Sequence, residues 1–197
     1  MIQHIPGLLF NPAGEWQKLE PAAGKGANLI YPALMALIPA LAWYHGTSAV
    51  GWQVGDGETV RLTADSALAL IVLFYLAMVT SVVAIGYFIH WMAENYGARS
   101  SVMHGITLAG FTSTPLFLLG VIGVLPALSV ALPLGILGLG WSLWLLYTGI
   151  PVVMHVPRER GFLFASAVVA VCLVILIAIM CGSVILWDMG FAPEYTS

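Results

Sequence analysis

The chain has 197 residues, of which 60% are hydrophobic and 8% charged, with a formal net charge of -3. A soluble domain carries about 25% charged residues, so a soluble fold is excluded, and the mean hydropathy of +0.98 agrees. A small net charge with no basic run also excludes nucleic acid as a partner; the partner this composition demands is a lipid bilayer.

The first 27 residues hold Pro6, Asn11, Pro12 and Glu15 where a cleaved signal would need an uninterrupted apolar stretch. They are expected to stay on the protein as an amphipathic cytoplasmic segment. Asn11 followed by Pro12 is a good helix cap and first-turn pair. The pattern predicts a short interfacial helix. Leu8, Leu9, Phe10 and Trp16 would dip into the headgroup boundary, with Lys18 and Glu20 in water.

About 20 apolar residues cross a bilayer core. Five stretches are long enough, near 29–47, 66–92, 102–124, 128–154 and 162–187. The fold class is therefore an all-α polytopic membrane protein, a single domain over 1–197. Only VLPALSVALPLG separates the third and fourth spans, which leaves a four-helix bundle with a re-entrant pair as the alternative. Between the first two spans, GWQVGDGETVRLT alternates around Gly55-Asp56-Gly57 and predicts a small outer β-hairpin. Asp56 and Glu58 have the charge to bind a cation there, but a turn aspartate is the plainer reading.

Lys and Arg set the orientation. Lys18, Lys25, Arg99, Arg158 and Arg160 fall on one side and Arg61 alone on the other. The N-terminus is expected inside and the C-terminus outside. Cys172 and Cys181 share one span. Nine helical residues put them roughly 13 Å apart, beyond the reach of about 7 Å that a disulfide allows.

The third span contains FTSTP at 111–115 and the fourth YTGIP at 147–151, both aromatic-Thr-x-x-Pro. Each proline removes the N–H that would pair with the carbonyl four residues back. Membrane helices need nearby hydroxyls to compensate. Thr112 lies roughly 15 Å into the membrane and Thr148 roughly 10 Å in from the same side. Thr80 and Ser81 of the second span sit at similar depth. Thr112, Ser113, Thr114, Pro115, Tyr147, Thr148 and Pro151 thus form a candidate solute site, since paired helix breaks point to transporter sites. Ordinary helix–helix contact is the competing reading. No Asp, Glu, Lys or Arg lies at midplane depth, which argues against a coupled carrier.

Four of the five histidines, His4, His90, His104 and His155, map to the cytoplasmic side. His90 and Glu94 are i, i+4 and share a helix face. With His104 or His155 they make a weak metal candidate. There is no HExxH, nucleophile elbow, P-loop, GxGxxG or CxxC. No enzyme and no cofactor are expected.

NPAGEW, GWQVGDG, IHWMA at 89–93, AGFTSTPLFLLG at 109–120 and LYTGIPVVM at 146–154, followed by RERGFLFASA, together carry a resemblance. The chain resembles the bacterial branch of the Yip1 family of multi-span membrane proteins, over nearly its whole length. The resemblance implies a five-helix membrane domain with a cytoplasmic N-terminus, in a bacterial inner membrane. Eukaryotic relatives bind Rab-type GTPases, a partner that a bacterial host would lack. Three functions are carried forward. The first is a non-enzymatic protein acting by association, as a homo-oligomer or an accessory subunit. The seams Ala36-x-x-x-Ala40 and Ser166-x-x-x-Ala170 permit close contact. The second is a transporter or channel for a small neutral or lipid-like solute at the Thr-Pro breaks. The third is a metal-dependent membrane enzyme.

Overall fold

The computed structural model describes residues 2–24, 29–53, 59–98, 100–125, 127–192 and 194–196. Lys25, Arg99 and the hairpin turn with Asp56 and Glu58 lie outside the described residues, and the cation expectation with them.

Among the described residues, five helical segments are long and apolar enough to cross a membrane: Ile30–Val50, Ala64–Tyr96, Val102–Val124, Leu128–Val153 and Arg158–Gly190. The third and fourth are separate spans, which removes the re-entrant alternative. The chain leaves the third through a short turn in which the N–H of Leu125 bonds the carbonyl of Ile122, and re-enters a helix at Leu128.

The N-terminal segment forms two helices, α1 (Ile5–Phe10) and α2 (Pro12–Ala23). Asn11 caps α2 as expected, its side-chain oxygen accepting from the N–H of Gly14 at 3.4 Å. The first span is α3 (Ile30–His45) and its continuation, and the second is α4 (Ala64–Ala93) with a last tight turn. Thr63 caps α4 by accepting from the N–H of Ser66 at 3.3 Å. The third span is broken into α5 (Val102–Thr112) and α6 (Thr114–Leu119), followed by a tight turn over Gly120–Val124. The fourth is α7 (Leu128–Val153) and the fifth α8 (Arg158–Leu186).

The predicted hairpin is present as β1 (Trp52–Gln53) and β2 (Thr59–Leu62), paired antiparallel with Trp52 opposite Val60. The C-terminus adds an unexpected third strand, β3 (Tyr195–Thr196), on the free edge of β2. The N–H of Thr63 bonds the carbonyl of Glu194, and the N–H of Glu194 bonds Ser66 Oγ, both at 3.1 Å. Hairpin and C-terminus therefore share one end of the bundle.

Glycines set the helix spacing. Gly86 of α4 and Gly105 of α5 meet face to face. A Cβ on Gly86 would lie 2.6 Å from the backbone N of Ile106, and one on Gly105 would overlap the carbonyl of Gly86. Gly120 packs on Pro39 and Gly123 on Trp43 in the same manner. Close backbone approach is how membrane helices gain packing energy without a hydrophobic drive.

The buried core gathers at the N-terminal end. Leu8, Trp16, Ile89, Leu108, Phe111, Ile150, Met154 and Phe164 are all buried there. This corrects the interfacial reading of the N-terminal segment. Leu8 and Trp16 are covered by protein, whereas Phe10 alone is 84% exposed. An amphipathic pattern specifies an apolar face but not what covers it; here α5 and α7 do.

Candidate functional site

The break in the third span is real and lies at Ser113, in a right-handed conformation (φ -77°, ψ -7°) between α5 and α6. Pro115 falls in the first turn of α6, where its missing N–H costs nothing. Ser113 Oγ donates back to the carbonyl of Ala109 at 2.8 Å. Thr114 is fully buried, and its Oγ1 shares a 2.7 Å hydrogen bond with the Tyr31 hydroxyl of α3.

From Tyr31 the contacts run to the end of the molecule. The Tyr31 ring stacks on Phe111 with centroids 4.2 Å apart, and His4 meets the other part of Phe111 edge-on at 6.5 Å. His4 Nδ1 lies 2.6 Å from Glu15 Oε1, and Lys18 Nζ donates to Glu15 Oε2 at 2.9 Å. The Glu15 side chain lies over Gly7, where any Cβ would collide with it. A covered carboxylate with two cationic or donor neighbours thus joins α1 and α2 to the Thr-Pro break. The sequence pass did not find this group. Its only local signal was the i, i+3 spacing of Glu15 and Lys18.

The hydrogen bonds from His4 and Lys18 hold the Glu15 carboxyl below the ordinary carboxylate range, outweighing burial, which pushes the other way. Docking of α1 and α2 therefore favours the ionised form. Its contribution is complete above the ordinary carboxylate pKa and is lost as pH falls through the lowered one. Glu15→Gln should weaken docking by about 1.5 kcal/mol, the low end for a charged hydrogen bond, because the largely exposed Lys18 adds little. It should also flatten the acid limb. Protease cleavage of the N-terminal segment against pH, in detergent, reads both effects; equal acid limbs in the two proteins would exclude this role for Glu15.

The fourth-span motif is placed differently. α7 runs unbroken through Pro151 and ends at Val153. Pro151 leaves the Tyr147 carbonyl without its usual N–H partner, but the ladder continues beyond it, the N–H of Met154 bonding the carbonyl of Ile150 at 3.0 Å. This corrects the picture of two matched mid-membrane breaks. Tyr147 turns to α8, sharing a 2.9 Å bond with Ser166 Oγ and packing its ring on Phe162. Thr148 Oγ1 donates to the carbonyl of Trp144 at 2.9 Å. Pro151 packs against Gly161 of α8. Thr114 and Pro115 are buried on the α3 side, and Thr112 Oγ1 is buried without a hydrogen-bond partner among the described residues.

The histidine set does not gather. His90 Nδ1 lies 3.3 Å from Ser100 Oγ, and His104 closes a capping box with Ser101 at the start of α5. His155 Nε2 reaches Glu20 at 3.1 Å, and Glu94 begins the tight turn after α4. Among the described residues no three His, Cys, Asp or Glu side chains are arranged to hold a metal ion. The interfacial histidines are engaged in capping and pairing instead.

A Yip1 domain model matches residues 7–179. The chain belongs to the Yip1 family. It is 35% identical over 192 residues to the inner membrane protein YohC of Escherichia coli strain K12, covering 96% of this chain and 98% of that one. The protein of the same name from Escherichia coli O6:H1 strain CFT073 gives the same figures. No solved structure matches. The Yip1 match begins inside α1, so it takes in Glu15, Trp16 and both Thr-Pro segments, and it stops within α8.

Proposed function

We propose that this Yip1-family chain is a non-enzymatic inner-membrane protein that acts by association, either with its own copies or as an accessory subunit. Its N-terminal end faces the cytoplasm and β3 faces outward, following the Lys and Arg count. The observation that carries the reading is α8. Its buried residues are Gly161, Phe164, Ala165 and Val168, and past Val168 none is buried up to Leu186. Val169, Val171 and Cys172 still pack partly against the core, but from Leu176 to Leu186 only Gly182 and Ser183 are even half-covered, where a span held by its own bundle would keep one side covered. Gly182 there, and Gly140 in α7, have open space around them. By contrast Ala36 and Ala40 are used within the chain, 0% and 3% exposed. Native mass spectrometry after mild extraction from the host membrane tests the reading. A homo-oligomer or a second polypeptide at fixed stoichiometry is expected. A lone monomer would remove it.

A second reading, passage of a small neutral or lipid-like solute, is favoured by the Thr112 hydroxyl, buried and without a partner among the described residues. In its first form the site comprises Thr112, Ser113, Thr114, Tyr147 and Thr148, with bending at Pro115 and Pro151.

A further inference from the structure

Hydroxyl groups in a membrane helix normally bond the carbonyl four residues back. Thr107, Ser113, Thr148, Ser166 and Ser183 all do so here. Thr112 and Ser142 do not: both hydroxyl oxygens are buried without a hydrogen-bond partner among the described residues, and so is Trp16 Nε1. Ser142 as a whole is 6% exposed and Trp16 0%. Each such group costs about 1–3 kcal/mol if it stays unpaired.

The three lie along one seam. Gly149 of α7 faces Leu108 of α5, and Gly138 faces Leu116 and Leu119 of α6. Those two contacts fix an antiparallel register. Thr112 is midway between Leu108 and Leu116, so it opposes the middle of the stretch from Gly138 to Gly149, within about a turn of Ser142. The Trp16 ring lies on Gly149 and Leu108, where a Cβ on Gly149 would come within 2.7 Å of the indole. It closes the seam at the N-terminal end.

Toward the hairpin end the seam widens. A cavity of about 140 Å³ is lined by Leu116, Leu119, Ala131 and Gly135, among others. It shares Trp43 and Ala131 with an open groove of about 1040 Å³ beside the hairpin. On α7, Ala131, Gly135, Gly138, Ser142 and Gly149 follow one another at steps of 4, 3, 4 and 7 residues, one face of a helix. Among the described residues that line the cavity and the groove, none is ionisable.

We propose that the seam between α5–α6 and α7 is a path for a small, uncharged, hydrogen-bonding solute of glycerol size or less. The solute enters by the hairpin-end groove and pairs with Ser142 and Thr112 at mid-depth. Its exit is stoppered by Trp16, so undocking α2 opens the inner end. The inference rests on the passage reading but moves the path away from Tyr147 and Thr148, which turn toward α8 and their own backbone. It is independent of the association reading.

The test is glycerol entry into phosphatidylethanolamine–phosphatidylglycerol vesicles holding the full chain, followed by stopped-flow light scattering. Trp16→Ala vesicles should admit glycerol several times faster than protein-free vesicles. Adding Gly135→Phe should return the rate to the protein-free value; a Cβ at Gly135 meets nothing within 4 Å, and the ring grows from a residue that lines the cavity. Adding Thr148→Ala instead should leave the fast rate intact. A Trp16→Ala protein that keeps its helical content yet shows the protein-free rate overturns the path. A fast rate lost with Thr148→Ala and kept with Gly135→Phe also overturns it, while sparing passage at the Thr-Pro site. Should Trp16→Ala not fold, the hydroxyl-removing variants Thr112→Val and Ser142→Ala decide. Lower melting midpoints that are less than additive in the double variant support a shared bound molecule; raised midpoints for both overturn it.

Discussion

Gly105→Leu should abolish the folded bundle. A Cβ at Gly105 meets not a flexible side chain but the backbone carbonyl of Gly86, and Gly86 in turn faces the backbone of Ile106. Neither atom moves without its helix. Overpacking that side chains can absorb costs about 1–3 kcal/mol; here α4 and α5 must separate along their length, so the loss exceeds about 3 kcal/mol. The packing between these helices has no hydrophobic term to replace it in lipid. Unfolding by sodium dodecyl sulfate in mixed micelles measures the effect. Gly140→Leu is the control, since the space beside Gly140 is open. A Gly105→Leu protein with the wild-type midpoint would mean that the glycine contact carries none of the assembly.

Trp16→Ala should release the N-terminal segment while leaving the spans in place. The indole is fully buried against Gly149 and Leu108, and truncating a buried tryptophan costs about 3–5 kcal/mol. The rest of the docking is made of smaller contacts: buried Leu8, Leu19 and Ala23, the Glu20–His155 pair at 3.1 Å, and the Thr107 hydroxyl bonding the carbonyl of Ala23 at 2.9 Å. These do not offset such a loss. Limited proteolysis should cut between α1 and α2 in the variant and spare the wild type, with unchanged helical circular dichroism from the spans. Equal protection of both proteins would show that the indole does not hold the segment.

The five spans were legible because length and apolarity alone define them, and the break at FTSTP because a proline deep in a span must interrupt a carbonyl pairing. YTGIP misled for the same reason. The rule detects a freed carbonyl but not whether the helix breaks there, and α7 runs on through Pro151 to Val153. β3 left no signal because two residues carry no period. Burial of Trp16 was invisible because its partners, Leu108 and Gly149, are far away in the chain. The pairing of His4 with Glu15 spans 11 residues, too far to meet along one helix, and forms only because the chain turns before α2. Ser142 drew no notice as one serine in an apolar run; only the register set by Gly138 and Gly149 brings it near Thr112.

The docked N-terminal segment also has a history in time. It is synthesised well before the helices that seat it: 133 residues separate Trp16 from Gly149. At a synthesis rate of about 5–20 residues per second, roughly 7–27 s pass before α7 can receive it. Through that interval the apolar face of α1 and α2 has only the membrane surface to cover it. A chain whose fourth span fails to insert never ends the wait. It keeps an exposed tryptophan in its N-terminal segment, a mark that separates failed from finished copies.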